Sequence, residues 1–254
     1  MMQSNNDILE VTWTRPAELV EIVNWNRQEF RVDVGFHTYR RVLASVSRGV
    51  YRSPSETRRL VEAWYDSHTD LVIRTAVINP ADHVHSAMRY IATVQGTSKA
   101  TGQRDDLLRD IEAATRKHKP GKELPPLEVL EVDWTFLAAM TRLVDGDTQE
   151  FMADAGFHTD RVITMRLLGV NCPETKGPSR PAGLAASDFS RQWYQTHTDI
   201  MIQTRKDVKH STDSFRRYLV KVQGKCQTTG IREDLAQSLL GAHHAVPFME
   251  DQSK

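Results

Sequence analysis

The sequence predicts a mainly β protein with helices, built as two tandem five-stranded barrels of the OB type. Three observations carry this. The chain repeats itself, each repeat alternates strand-like and helix-like patterns in one order, and a basic stretch rich in proline and glycine joins the repeats. "ILEVTWT" (8–14) matches "VLEVDWT" (129–135), and "NRQEFRVDVGFHTYRRV" (26–42) matches "DTQEFMADAGFHTDRV" (147–162). "WYDSHTDLVIRT" (64–75) matches "WYQTHTDIMIQT" (193–204), "RYIATVQG" (89–96) matches "RYLVKVQG" (217–224), and "TGQRDDLL" (101–108) matches "TGIREDLA" (229–236). The order is kept while the offset moves from 121 to 129. Two copies of about 120 residues are two globular units, not a solenoid. "RKHKPGKELPP" (116–126) reads as the linker, giving domains at 1–120 and 127–254.

The elements of the second copy follow in order. "LEVLEVDWT" alternates weakly and reads as strand, continuing through "AAMTRLVDG" into a glycine turn at Asp145–Asp147. "TQEFMAD" and "RVITMRLLGV" are β-rich runs separated by the turn "AGFHTD", and Pro173 stops the second. "PAGLAASDFSRQWYQTH" places Leu184, Phe189, Trp193 and Tyr194 at helical spacing. "TDIMIQTRKD" and "SFRRYLVKVQG" are two more strands, and "IREDLAQSLLGAHHA" closes as a helix. The order β-β-β-α-β-β-α fits a small closed barrel.

Composition narrows the function classes. With 39% apolar residues the chain is globular, and no apolar run is long enough to span a membrane. The start lacks the basic-then-apolar pattern of a signal peptide, so the expected location is intracellular (cytoplasmic), with incorporation in a larger particle left open. Cys172 and Cys226 are too few for a disulfide framework and, by count, too few for a zinc site. Net charge is zero, so binding to a polyanion must come from a local patch.

Three separated motifs in the second copy point to chemistry. They are "RLVDGDT" (142–148), "RLLGVNCPETK" (166–176) and "TDSFRRYL" (212–219). In order and spacing they resemble the staphylococcal (thermo)nuclease family, over nearly all of 129–249. The resemblance implies a calcium-dependent nuclease, a hydrolase that cleaves phosphodiester bonds of DNA or RNA as an endonuclease. It implies calcium held by Asp147, Asn171 and the main-chain carbonyl of Cys172. Glu174 would activate the attacking water, and Arg166 and Arg217 would clamp the phosphate with planar guanidinium forks. Phe215 would stack on a base, and Thr148 would order the loop. Nucleic acid is the expected partner, and a membrane is not.

The pattern also departs from the family. Asn171 stands where a second carboxylate is usual, so calcium binding is expected to be weak. Ser214 and Phe215 replace a Lys-Tyr pair, and the family's C-terminal tyrosines fall on Pro247 and Met249. In the first copy Asn26 replaces Asp147, Val46 falls opposite Arg166, Tyr51 opposite Asn171 and Pro54 opposite Glu174, with only Arg89 matching Arg217. That half reads as degenerate. The alternative function is therefore a catalytically silent nuclease-derived scaffold, a binding module for nucleic acid or protein, which fits an assembly.

Other residues read as structural. His37 with His158 and His68 with His197 recur in both copies, including the one without the site, and read as turn or packing residues. Trp13, Trp134, Trp64 and Trp193 read as core, and His243-His244 as surface. "RKHKPGK" and "RKDVK" (205–209) read as solvated faces, or else as DNA contacts.

Overall fold

A computed structural model describes residues 11–46, 53–77, 90–115, 126–132, 134–157, 159–204 and 217–248. The chain forms two compact units, one of residues 12–133 and the other of residues 134–254 with 1–11. The protein is mainly β with four helices among the described residues.

The first unit runs β1 (Thr14–Asn24), β2 (Arg27–Gly35), β3 (Thr38–Ser45), α1 (Pro54–Ser67), β4 (His68–Val77), β5 (Tyr90–Ser98), β6 (Arg104–Asp106) and α2 (Leu107–Thr115). The second runs β7 (Thr135–Leu143), β8 (Thr148–Asp154), β9 (Asp160–Leu167), β10 (Val170–Asn171), a 3₁₀ turn (Gly177–Ser179), α3 (Arg180–Thr196), β11 (His197–Thr204), β12 (Tyr218–Cys226), β13 (Arg232–Asp234), α4 (Leu235–Gly241) and β14 (Val246–Pro247). In the second unit β7, β8 and β9 form an antiparallel meander. Strand β9 then pairs in parallel with β12, β12 with β11, and β11 with β7, closing a five-stranded barrel. In the first unit the meander β1–β2–β3 meets β5 through a parallel pairing at Ala44 and Ser45, and β4 joins β5 to β1.

Period-two alternation turns the apolar side chains inward. On β8 Phe151 and Ala153 are buried while Met152 is exposed, and on β2 Phe30, Val32 and Val34 are buried. Each "GFH" turn puts its phenylalanine in the left-handed region after a glycine there, Gly35 at φ 90° and Gly156 at φ 82°. Asp33 and Asp154 tie these turns by accepting the N–H of Gly35 and Gly156.

The "TG-x-R-[DE]-D" repeats have a common task. Arg104 and Arg232 donate to the carbonyls of Asp70 and Asp199, residues held at φ 48° and 49°. Asp106 and Asp234 accept N–H groups in the first turns of α2 and α4. His68 and His197 stack on Trp64 and Trp193 at centroid distances of 4.0 and 3.9 Å.

Several sequence expectations are corrected. Residues 127–132 are not strand. The Leu130 N–H goes to Gln95 Oε1 and the Glu128 carbonyl accepts from Gln95 Nε2, so one glutamine satisfies this backbone in place of a ladder. The segment from Ile231 begins as the short strand β13 and only then turns helical, because β12 offers an edge for pairing. Trp13 and Trp134 are half-buried, whereas Trp64 and Trp193 are core. His243 is exposed, but the His244 ring lies 4.9 Å from Phe189. Pro54 is the first residue of α1, capped by Ser53, and not a loop residue matching Glu174. Tyr51, Arg89, His158, Met249 and both basic stretches lie outside the described residues.

Candidate active site

The turn Asp145-Gly146-Asp147 joins β7 to β8. Asp145 Oδ1 accepts the N–H groups of Asp147 and Thr148, which bends the chain and fixes Asp147 at the head of β8. Arg166 pairs with Thr148 across β8 and β9, so its side chain arises beside that turn. Asn171 lies five residues on, in β10, and Cys172 follows it.

These residues form one hydrogen-bonded chain. Arg166 Nη1 donates to Asp147 Oδ1 at 2.9 Å and Arg166 Nη2 to Asn171 Oδ1 at 2.6 Å. The Cys172 N–H donates to Asp147 Oδ2 at 2.7 Å. The Thr148 hydroxyl donates to Asp147 Oδ1 and accepts from Arg217 Nη1, both at 3.1 Å. Arg217, one residue before β12, thus reaches Asp147 through Thr148.

The carboxylate at the centre is buried. Burial pushes the Asp147 carboxyl up to about 6, outweighing the Cys172 N–H, Arg166 and Thr148, which hold it down; Asp145 adds to the rise. Burial, and next the charge of Asp147, pushes the Cys172 thiol up to about 12. That thiol packs on Gly146 and stays a neutral filler, while the residue's N–H does the polar work.

Helix α3 clamps both site loops. A Cβ on Gly146 would stand 2.8 Å from Ala186 Cβ and Cys172 Sγ, and a Cβ on Gly183 would collide with the Glu174 and Pro173 carbonyls. The helix presents Gly183, Ala186, Ser187 and Ser190, and this small-residue face permits the approach. The Ser190 hydroxyl and Gln149 Nε2 both donate to the Gly146 carbonyl, and the Tyr194 hydroxyl donates to Gln149 Oε1. On the opposite side, β14 pairs with β10 and the Phe248 N–H donates to the Gly169 carbonyl. This sets the Phe248 ring 5.7 Å from the Arg166 guanidinium carbon.

Of the sequence-predicted residues, Asp147, Arg166, Asn171 and Cys172 are joined directly and Arg217 joins through Thr148. Glu174 lies two residues beyond Cys172 with an exposed side chain that takes no part in this network. Phe215 lies outside the described residues. Sequence reading placed Gly146 in a turn and missed Gly183, Gln149, Ser190 and Phe248. Only Gln149 carried a signal, since "QEF" recurs in both copies.

The first unit keeps the turn and loses the site. Asn24 Oδ1 accepts the Asn26 N–H as Asp145 does for Asp147, and Gln28 holds the Trp25 carbonyl as Gln149 holds that of Gly146. The N–H of Val46 goes to the Asn26 carbonyl as that of Leu167 goes to Asp147. Ser45, not Val46, therefore stands at the Arg166 register. Trp25 occupies the place where Gly146 has no room for a single methyl group.

Among the described residues no helix is long and apolar enough to cross a membrane. Neither the protein-family models nor the curated proteins include a match to this chain.

Proposed function

We propose that the second unit is a barrel of the staphylococcal nuclease kind, the first its degenerate tandem copy, and that the pair is a nuclease hydrolysing phosphodiester bonds of DNA or RNA. The observation that carries this is the linked set Arg217–Thr148–Asp147–Arg166–Asn171, with Glu174 exposed two residues beyond Cys172 in the chain. Two guanidinium groups at one mouth suit the two non-bridging oxygens of a phosphodiester. Glu174 takes the proton of a water whose oxygen attacks phosphorus, the P–O bond to the leaving alkoxide breaks, and Arg166 and Arg217 hold the charge that grows on the phosphate.

The donor chemistry fits calcium weakly. Asp147 and Asn171 offer hard oxygens bound to one guanidinium, and the Cys172 carbonyl lies next in the chain, but only one of the side chains is a carboxylate. Bound there, calcium would supply positive charge to the phosphate. A second reading, a silent nucleic-acid-binding module, is favoured by the same pairing: Arg166 already neutralises Asp147, and Asn171 adds no charge.

The deciding experiment incubates the purified chain with plasmid and with heat-denatured DNA, with calcium and then with a chelator. Calcium-dependent cleavage that falls about 100- to 10,000-fold in Glu174→Gln, with an unchanged melting curve, is the expected result. Binding without cleavage selects the silent module. Wild-type cleavage rates in Glu174→Gln sink the assignment of the base.

A further inference from the structure

A second cluster lies away from this mouth. Arg166 is opposite Leu219 near the start of β12, whereas Cys226 ends that strand seven residues later, about 23 Å along the barrel wall. There His197, Cys226 and Glu233 bring one nitrogen, one sulfur and one carboxylate oxygen within 4.8 Å of one another. They come from the start of β11, the end of β12 and the middle of β13, three strands already fixed by pairing.

The histidine is preset as a ligand. Its Nδ1 lies 2.7 Å from the Trp193 carbonyl, an acceptor only, so Nδ1 carries a hydrogen and Nε2 is the ring nitrogen turned toward Glu233. A backbone carbonyl on the far ring nitrogen is the usual support of a metal-binding imidazole. Stacking on Trp193 at an interplanar angle of 10° fixes the ring plane. Nε2 stands 3.4 Å from Glu233 Oε2. That is long for a charge-assisted hydrogen bond, and it falls within the ~3.3–3.8 Å ligand separation of a tetrahedral zinc site. The sulfur is placed by the backbone as well, since Cys226 pairs directly with His197 across β11 and β12.

The first unit shows which part of the cluster is ordinary packing. His68 makes the same bond to the Trp64 carbonyl, the same stack, and meets Asp105 at 3.2 Å. The histidine–carboxylate pair is therefore part of the fold in both units. At the Cys226 register the first unit has Ser98, opposite His68 as Cys226 is opposite His197. Its second acidic neighbour, Asp110, is held by the Trp64 indole N–H. Only the second unit adds a soft ligand.

We propose that His197, Cys226 and Glu233 bind a divalent cation of the zinc class, with the fourth position open. Sulfur and nitrogen ligands discriminate against calcium, so this site and the proposed nuclease site take different metals. The bound ion joins β11, β12 and β13 where the barrel meets α3.

The test titrates cobalt(II), then zinc, into the metal-stripped full-length chain. One equivalent of cobalt should give a thiolate-to-cobalt charge-transfer band that zinc abolishes and calcium does not. Cys226→Ser should remove the band, and its serine is the residue the first unit already carries at that register. Cys172→Ala should leave the band intact, and Glu233→Gln should weaken zinc about tenfold or more. Saturating zinc should raise Tm by about 5 °C or more in the wild type and not in Cys226→Ser. No band in the wild type, a band that survives Cys226→Ser, or a band lost with Cys172 overturns the proposal.

Discussion

Asp147 accepts three hydrogen bonds and still has its carboxyl pushed up, because burial outweighs them. A carboxyl raised in the folded state above its ordinary 3.8 binds its proton more tightly folded than unfolded. Its contribution to stability therefore grows as pH falls through 6 and levels off below about 4. The gap between 3.8 and about 6, at 1.36 kcal/mol per pH unit, caps the effect at about 3 kcal/mol. Comparing wild type with Asp147→Asn by chemical denaturation from pH 4 to pH 7 checks this. Wild type should gain on the variant toward acid, and a gap independent of pH would refute the shift. At Asn171 the outcome concerns metal. Asn171→Asp adds a second carboxylate to the site and should tighten calcium at least about tenfold by titration calorimetry, with no gain ruling out a role as ligand.

Helix α3 works through what it lacks. Gly183 abuts the Pro173 and Glu174 carbonyls, so Gly183→Ala must shift the loop that carries the proposed base. Alanine is the better helix former by about 1 kcal/mol, yet the contact is with backbone and cannot yield cheaply. Gly183→Ala should lower Tm and slow cleavage. The control, Gly241→Ala at the end of α4, has open space around it and should be neutral or stabilising. The five barrel strands and α3 were legible in the sequence because period-two and helical patterns are local. The close approach of α3 was not, since it depends on loops meeting a helix that local patterns do not place. The drift in repeat offset did carry information. Ser45 to Arg166 is 121 and Ser67 to Thr196 is 129, so the second unit has 129 − 121 = 8 extra residues; 17 − 14 = 3 of them lengthen α3 relative to α1, and the other 5 fall between β9 and α3, in the segment that bears Asn171, Cys172 and Glu174.

The two units give the whole molecule an internal control. Gln28 and Gln149 sit at one register, each inside a barrel, accepting from Tyr65 and Tyr194 and holding the turn that precedes β2 or β8. Either glutamine changed to alanine strands a buried tyrosine hydroxyl, which costs about 1–3 kcal/mol. Denaturation should show similar losses for Gln28→Ala and Gln149→Ala. Only Gln149→Ala should depress cleavage, because only its turn holds Asp147. Equal loss of cleavage in both would mean that the first unit also takes part in turnover. Phe215, in a segment outside the described residues, shows the limit of motif reading: a resemblance names a residue without supplying its surroundings.

The parallel seam between β9 and β12 has a kinetic consequence. It joins Arg166 to Leu219, partners 53 positions apart (219 − 166), whereas the β7–β8–β9 meander is made of neighbours. Distant pairings come late, because the chain must lose loop entropy before they reward it. Arg166 lies on one side of that seam and Arg217 just ahead of the other, so the two guanidinium groups meet only when the ring shuts. In a refolding time course, recovery of the proposed cleavage should then lag the return of tryptophan fluorescence in a chain whose other tryptophans are replaced so that Trp193 reports alone, and the delay between the two would time the closure of the barrel.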